Sequence, residues 1–199
     1  LIHYGGGSAV KSGLLDRVKA SLDSEGISYI CLGGVKPNPR DTLVYEGIEI
    51  CKKEGIDFIL SVGGGSCIDS AKAIAIGVPY DGDFWDFYSS YKAVEKAIPV
   101  GTVLTIAAAG SEGSGGSVIT KEDGGLKRST GSDLIRPCFS ILNPALTQTL
   151  PAYQTACGAA DIMSHIMEVY FTTQKDLFML DCFMEGMLKT IVKYAPIAI

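Results

Sequence analysis

The sequence predicts an α/β fold with a mostly parallel sheet, followed by the start of an all-helical region. Short apolar runs of β type alternate with segments of helical periodicity, which is the pattern of strands joined by helices. Glycine-rich turns at 5–8 and 63–66 directly follow two of these runs. Near residue 150 the alternation stops and the pattern becomes almost purely helical. We therefore expect an α/β domain over 1–150 and, over 151–199, the first helices of a truncated second domain.

The first half of the chain contains three predicted strands, over 1–4, 27–32 and 57–62. Apolar residues at a spacing of four predict a helix between the first two strands, and a second helix over 41–54 ends at a glycine. The third strand is continuously apolar, as expected of a strand that is buried in a parallel sheet. The glycine turn at 63–66 then opens a third helix.

The middle of the chain has a different pattern. Residues 99–106 predict a strand that leads into a loop of small residues over 107–116. A hairpin is indicated for 117–120 and 127–130, because an Asp-Gly-Gly turn lies between them. Residues 138–142 form the last predicted strand.

Two helices are predicted for the end of the chain, roughly over 151–171 and 175–194. Thr149 is the candidate N-cap of the first helix, with Pro151 in its first turn. The segment 81–91 is rich in aromatic and acidic residues. We interpret it as a surface loop and helix that lie over the sheet.

Composition excludes several function classes. With 47% hydrophobic and 20% charged residues, the 199-residue chain has the balance of a globular protein. Its net charge of −5 and the lack of a Lys/Arg stripe argue against nucleic acid as a partner. The uncharged, apolar stretch over 97–111 is shorter than the ~20 residues of a membrane span.

Six cysteines are scattered without regular spacing, and we expect them to be reduced and mostly buried. No secretory signal opens the sequence, so a cytoplasmic location is expected. The chain begins without Met in an apparent strand and stops in an apolar segment. We therefore expect it to be an internal piece of a longer protein.

The most informative motif is the segment 63–72, which has the form GGGSxxDxAK and follows the buried strand. Glycines let a ligand approach the backbone closely, and free N–H groups at a helix start attract anions. A phosphate or pyrophosphate is the ligand that this arrangement favours. The alternative is a tight turn in which Ser66 and Asp69 form a capping box. The motif lacks the lysine of nucleoside-triphosphatase loops.

A second glycine turn, GGGS at 5–8, also lies between a strand and a helix. It offers no carboxylate of the kind that binds an adenosine ribose and repels a 2′-phosphate. A simple turn is the alternative interpretation there. The small residues of 105–112 could line a cofactor channel, but close packing against a neighbouring element is the favoured interpretation.

Asp161 and His165 are the candidate metal ligands. Their spacing of four places both side chains on one face of a predicted helix. A carboxylate and an imidazole can bind a divalent cation, but at least one further ligand is needed. An Asp–His pair without metal is the alternative, and Glu168 is interpreted as a solvated or ion-paired charge. The sequence contains no GxSxG nucleophile motif.

Taken in their order, these motifs resemble the iron-containing (group III) alcohol dehydrogenase family, nearest to its butanol dehydrogenase and broad aldehyde reductase branch. The resemblance covers essentially the whole chain. It rests on YGGGS at 4–8, GGVKPNP at 33–39, the motif at 63–72, GSE at 110–112, the Asn-Pro and Leu-Pro pairs at 143–144 and 150–151, and the segment 158–168 that carries Asp161 and His165.

The resemblance implies a Rossmann-like dinucleotide-binding domain, followed by an all-helical metal-binding domain of which this chain holds the start. It implies hydride transfer between a nicotinamide cofactor and a short-chain alcohol or aldehyde, in a protein for which a homodimer is the family expectation. The implied cofactors are NADP(H) or NAD(H), with NADP(H) favoured, together with Fe²⁺ or Zn²⁺. The implied cofactor-binding residues are Gly6, Ser8, Gly63, Gly64, Gly65, Ser66, Asp69, Thr105, Ser114, Lys127 and Leu146.

In this family one Asp and three His bind the metal. Asp161 and His165 match the first two and are the implied catalytic residues, acting through the metal; the other two histidines would lie beyond Ile199. We therefore expect the 199-residue chain alone to bind metal poorly and to have little or no activity. Two other functions stay open: a sugar-phosphate cyclase or glycerol-phosphate dehydrogenase on the same scaffold, and an inactive nucleotide-binding fragment.

Overall fold

The structure is a computed structural model that describes residues 1–90 and 92–199. Contacts divide the chain into two compact units, which are 1–105 with 110–143, and 106–109 with 144–199. The domain limit near Leu150 stays a prediction. Within the described residues, no helix has the length and apolar character that crossing a membrane requires.

The described residues form seven strands and seven α-helices. The strands are β1 (Ile2–Gly5), β2 (Cys31–Val35), β3 (Ile59–Gly63), β4 (Val100–Leu104), β5 (Gly116–Lys121), β6 (Leu126–Gly131) and β7 (Phe139–Ile141). The helices are α1 (Ser8–Lys11), α2 (Leu14–Ser24), α3 (Asp41–Glu54), α4 (Gly65–Gly77), α5 (Asp86–Ser89), α6 (Ala152–Tyr170) and α7 (Phe178–Ala198).

The first unit contains a five-stranded parallel sheet with the order β2-β1-β3-β4-β7, and an antiparallel hairpin of β5 and β6. This architecture confirms the predicted α/β fold with a mostly parallel sheet. The apolar side chains of β3 and β4, such as Ile59, Val62 and Val100, are buried, as expected of central strands covered on both faces. Helix α4 is buried at nearly every position.

Strand β2 lies further along the chain than predicted. It begins at Cys31 and includes Gly33 and Gly34, which come after the end of the predicted strand 27–32. The reason is close packing, because a side chain at position 33 would collide with the ring of Tyr4 on β1. Glycine here permits a close approach inside the strand and does not end it.

The prediction that the segment over 81–91 lies at the surface is wrong for its described aromatic residues. Their rings form part of the hydrophobic core, and two of them, Trp85 and Tyr88, stack with a centroid separation of 5.5 Å. Burying large aromatic side chains contributes several kcal/mol each, roughly, which outweighs the polar character of the segment. Tyr91 lies outside the described residues. The buried aromatic side chains of the segment are Phe84, Trp85, Phe87 and Tyr88.

The cysteines are free thiols, but the expectation that most are buried is wrong. Only Cys51 and Cys67 are buried, and Cys31 is intermediate. The exposed ones precede the edge strand β7 or lie on α6 and α7, whose surfaces are largely open in this chain. They are Cys138, Cys157 and Cys182.

Thr149 does not cap α6. The N-cap position is Pro151, with φ −58° and ψ 143°, and its carbonyl accepts the first N–H groups of the helix, from Gln154 and Thr155. Proline lacks an N–H group and has a fixed φ, so it is suited to the position at the helix start. The helix therefore begins two residues too late for the Thr149 hydroxyl to cap it.

A buried histidine connects the sheet to α4. The Nδ1 atom of His3 lies 3.0 Å from the carbonyl oxygen of Leu32, and Nε2 lies 2.8 Å from the hydroxyl of Ser70. Because a carbonyl only accepts, Nδ1 carries the proton and Nε2 accepts from Ser70. The imidazole is completely buried, and burial lowers its pKa from 6.5 to about 4.

We expect His3 to make folding sensitive to acid. Between pH 6.5 and 4 the unfolded chain binds a proton at this residue while the folded chain does not, so stability falls as the pH falls. The loss over this interval is about 3 kcal/mol. Urea unfolding as a function of pH measures it, with His3→Gln as the control that keeps a polar side chain without titrating. Equal pH slopes in the two proteins would contradict this role.

Candidate cofactor and metal sites

The two glycine turns lie side by side at one edge of the parallel sheet. Strand β1 has β2 on one side and β3 on the other, so the side on which the chain adds its next strand changes between β1 and β3, while all strands stay parallel. A Cβ added at Gly63, the last residue of β3, would lie 3.9 Å from the backbone nitrogen of Gly5. In open α/β sheets, ligands bind outside the carboxyl ends of the strands at such a switch point.

The turn at 63–66 places helix α4 with its N-terminus at this edge. Gly64 occupies the N-cap position, and Gly65 and Ser66 form the start of the helix. Among the described residues, no side chain caps α4. The first N–H groups of a helix lack intrahelical acceptors, so the beginning of α4 offers donors and a positive dipole end to an anion.

The capping-box alternative for Ser66 and Asp69 is wrong. The carboxylate of Asp69 accepts hydrogen bonds from the hydroxyl of Ser111 at 2.6 Å and from the backbone N–H of Val118 at 3.1 Å. Its backbone carbonyl accepts a bond from the Ser117 hydroxyl at 2.8 Å. Burial raises the pKa of Asp69, opposed by these hydrogen bonds. Asp69 thus joins α4 to the loop before β5 and to β5 itself.

Lys72 is the residue of the motif whose importance sequence reasoning missed. Its side chain is completely buried, and its ammonium group contacts four oxygen atoms of the segment 111–116. Burial lowers the pKa of Lys72 to about 8, while the carboxylates of Asp69 and Glu112 act in the opposite direction. The only signal in the sequence was its place at the end of the GGGSxxDxAK motif.

The structure brings Thr105 to the glycine turn at 63–66, whereas Ser114 contacts Lys72 further along α4. The backbone N–H of Thr105, directly after β4, donates to the carbonyl of Gly63 at 3.1 Å. The carbonyl of Ser114 accepts from Lys72 at 2.8 Å. A Cβ added at Gly65 would lie 3.9 Å from the Cβ atom of Ser111, so the 111–116 loop faces the start of α4.

Lys127 lies on β6, where its ammonium group donates to the side-chain carbonyl of Asn38 at 2.8 Å. Asn38 has a left-handed backbone, with φ 55°, in the loop that follows β2. This contact joins the hairpin to the end of β2. It adds Asn38 to the candidate residues, and the Pro-Asn-Pro sequence at 37–39 was the signal that could have found it.

Gly6 and Ser8 lie at the end of β1. A Cβ added at Gly6 would contact only the carbonyl oxygen of Val35, at 3.9 Å, so this position has free space. Ser8 begins the short helix α1. The turn carries no carboxylate. The nearest atom to a Cβ added at Gly7 would be a carbon of the Lys11 side chain, at 4.0 Å.

The second unit contains the candidate metal ligands on α6. The Nε2 atom of His165 lies 3.9 Å from the Oδ1 atom of Asp161, and both side chains are about half exposed, at 53% and 46%. The described residues contain no group of three or more His, Cys, Asp or Glu side chains that could hold a metal ion. Asp161 and His165 therefore stay a pair of candidate ligands on one helix face, without a third beside them among the described residues.

Gly158 allows a close approach within the second unit. A Cβ added at this position on α6 would lie 2.6 Å from the carbonyl oxygen of Ala107. At Ala107, the small-residue segment thus packs against a neighbouring element, which is the favoured interpretation of the sequence. Leu146 lies in the 3₁₀ turn Pro144–Thr147 of the same unit. A cavity of about 370 Å³ in this unit is lined mainly by apolar side chains, among them Ile106, Leu150, Ile162 and Ile191.

Comparison with known families identifies the family of this chain. The model of the family described as iron-containing alcohol dehydrogenase matches residues 1–144. The chain belongs to this family. The resemblance inferred from the motifs is thereby confirmed, including its butanol dehydrogenase and aldehyde reductase branch.

Similar proteins come from several bacteria. The chain is 45% identical over 198 residues to NADH-dependent butanol dehydrogenase A of Clostridium acetobutylicum, covering 100% of this chain and 51% of that protein. It is 38% identical over 202 residues to the NADPH-dependent aldehyde reductase YqhD of Escherichia coli, covering 100% and 52%. The crystal structure of NADH-dependent butanol dehydrogenase A from Thermotoga maritima matches with a TM-score of 0.94 at 43% identity, covering 98% and 49%. The chain thus spans about half the length of the curated relatives it matches.

Proposed function

We propose that the intact protein is a metal-dependent, NAD(P)-linked alcohol dehydrogenase or aldehyde reductase that acts on short-chain substrates. The observation that carries the proposal is the uncapped, glycine-lined N-terminus of α4 at the switch point between β1 and β3. Family membership supports it, as do the names of the relatives, which include NADH-dependent butanol dehydrogenases and an NADPH-dependent aldehyde reductase. These names favour this reaction over that of a sugar-phosphate cyclase or a glycerol-phosphate dehydrogenase.

In this proposal the turn at 63–66 holds the pyrophosphate of the cofactor. The fit is supported by the missing side chain at Gly65, which leaves open the space in front of the first N–H groups of α4. When bound, the nicotinamide supplies or accepts the hydride, and the protein contributes binding and orientation. The other proposed cofactor contacts are Gly6, Ser8, Asp69, Thr105, Ser114, Lys127 and Leu146, of which Asp69 acts through the loop that it holds.

Asp161 and His165 are the proposed metal ligands in this chain. A carboxylate oxygen and an imidazole nitrogen are donors that suit Fe²⁺ and Zn²⁺, and the half-exposed pair leaves room for further ligands. A divalent cation at such a site polarises the oxygen of an aldehyde or alcohol. The mainly apolar cavity in the same unit supports an aliphatic substrate.

The test is a titration of the intact protein with NADH and with NADPH, followed by nicotinamide fluorescence, together with reduction of n-butanal in the presence of Fe²⁺ or Zn²⁺. We expect micromolar binding of at least one nucleotide and oxidation of the cofactor that depends on both aldehyde and metal. If neither nucleotide binds, the proposed function is wrong. If the cofactor binds but no aldehyde is reduced, a nucleotide-binding role without this reaction replaces it.

The preference for NADP(H) over NAD(H) stays a prediction, and it leads to a test at position 6. Gly6→Asp fits the free space beside Val35 and brings a carboxylate to the end of β1. We expect it to weaken NADPH binding about tenfold or more through repulsion of the 2′-phosphate, while NADH binding is kept or improved. Gly6→Asn is the matched control, since it has the same shape without the charge. Equal effects of Asp and Asn on NADPH would show that charge at this position does not select the cofactor.

A further inference from the structure

Lys72 lies at the centre of a buried polar cluster that joins helix α4 to the segment 111–116. Its ammonium group contacts the carbonyl and hydroxyl oxygens of Ser111 at 2.7 and 3.0 Å, and the carbonyls of Ser114 and Gly116 at 2.8 Å each. The loop that carries these oxygens starts at Gly110, whose φ of 73° is left-handed. Four oxygen atoms of the segment 111–116 thus surround the Lys72 ammonium group.

The hydrogen bonds of the cluster run in sequence from Lys72 through Ser111 to Asp69. The Ser111 hydroxyl accepts from Lys72 and donates its own proton to the carboxylate of Asp69 at 2.6 Å. Both charged residues are on α4, one turn apart, so the helix presents a cation and an anion to one loop residue. An ammonium group has three protons for four acceptors, whereas a neutral amine has two protons and no charge. The number and strength of the contacts thus depend on the charge of Lys72.

This loop also faces the turn proposed to hold the cofactor. Ser111 lies against the start of α4, where a Cβ at Gly65 would approach it to 3.9 Å. From its exposed side, the loop is held by Arg136, whose guanidinium group donates to the carbonyl of Gly113. On its buried side, Lys72 is the cation that fixes it. A change in the Lys72 contacts therefore moves atoms next to the glycine turn.

We propose that Lys72 is a positioning residue for the cofactor: its ammonium group holds the 111–116 loop in the form that lies against the glycine turn, so that loss of its charge weakens nucleotide binding. The inference rests on the proposed function, because the nucleotide is its readout. Lys72 itself is buried behind the loop, so the effect passes through Ser111, Ser114 and Gly116.

A dependence on pH follows from this arrangement. The ionisable groups that act on Lys72 are Asp69 on its own helix, Glu112 on the loop and Arg136, and Lys127 acts on Asp69 from β6. Because burial lowers the pKa of Lys72 to about 8, its charged fraction falls between pH 7 and pH 9. Binding that requires the charged form should weaken about tenfold from pH 7 to pH 9.

The experiment measures the dissociation constant of NADH or NADPH, whichever binds, for the intact protein between pH 6.5 and pH 9.5. Three proteins are compared: the wild type, Lys72→Met, which keeps the side-chain length without the charge, and Lys53→Met, which removes an exposed lysine of α3. We expect Lys72→Met to bind the nucleotide at least about tenfold more weakly than the wild type at pH 7. Above pH 7 the affinity of this variant should not depend on pH. The wild type and Lys53→Met should both weaken with a midpoint near pH 8.

Several results would overturn the inference. A wild-type affinity that is flat from pH 7 to pH 9.5, or a Lys72→Met variant that binds as the wild type does, removes the positioning role while the proposed function stands. Absence of nucleotide binding by the wild type at every pH removes both. Circular dichroism shows whether Lys72→Met folds; if it does not, the wild-type pH profile decides between the two outcomes.

Discussion

Replacing Asp161 by alanine in the intact protein is expected to remove the metal and to lower the turnover of aldehyde reduction by about a thousandfold or more. The residue contributes one of the two candidate ligands in this chain, and its carboxylate carries the negative charge of the pair. A thousandfold loss corresponds to about 4 kcal/mol of transition-state stabilisation, the scale expected when a Lewis acid is removed. Metal content by mass spectrometry and turnover under saturating cofactor measure the two effects.

Glu168→Ala is the matched control for Asp161→Ala. Glu168 lies on the same helix, is exposed, and is interpreted as a solvated charge. We expect this variant to keep both metal and turnover. A normal metal content in Asp161→Ala, or an equal loss in Glu168→Ala, would show that Asp161 is not a metal ligand.

Gly65→Ala is expected to weaken nucleotide binding by at least about tenfold, or 1.4 kcal/mol, without destabilising the protein. The added methyl group would lie 3.9 Å from Ser111, which is an ordinary contact distance, so the protein itself accommodates it. The same methyl group lies at the first residue of α4, where we propose that the pyrophosphate binds. Fluorescence titration gives the affinity, and a thermal melt checks that the unfolding temperature stays within about 3 °C.

Gly63→Ala provides the contrast. Its Cβ atom would lie 2.8 Å from the Cβ atom of Cys67, so this change is expected to destabilise the fold itself by about 1–3 kcal/mol. The two neighbouring glycines thus separate a ligand effect from a packing effect. Unchanged affinity in Gly65→Ala would exclude the start of α4 as the pyrophosphate site.

The elements that the sequence predicted well are determined by residues within them or next to them in the chain. Helix α3 matches the predicted 41–54 and ends at Gly55 with φ 64°, because glycine adopts the left-handed C-cap conformation without strain. The hairpin of β5 and β6 follows from its glycine turn, in which Gly124 and Gly125 both have positive φ. The position of GGGS between a strand and α4 is likewise a property of adjacent residues.

The interpretations that failed, or that sequence reasoning could not reach, depend on residues far apart in the chain. Asp69 bonds to Ser111 and Val118, 42 and 49 positions away, and not to a neighbour in a capping box. The mixture of aromatic and acidic residues in their segment predicts Trp85 and Tyr88 at the surface, whereas the core buries them. The predicted second strand ends before Gly33, whereas Gly33 lies within β2, where the ring of Tyr4 on the adjacent strand requires a glycine.

The amino-acid sequence by itself determined the family, the alternation of strands and helices, and the glycine turns, because each of these depends on residues that are neighbours in the chain. Only the tertiary structure decided what Asp69 and Lys72 do. The reason is physical: a buried charge must find its partners wherever the fold brings oxygen and nitrogen atoms together, and spacing along the chain does not reveal them. Lys72 finds its four acceptors in a loop about forty residues away.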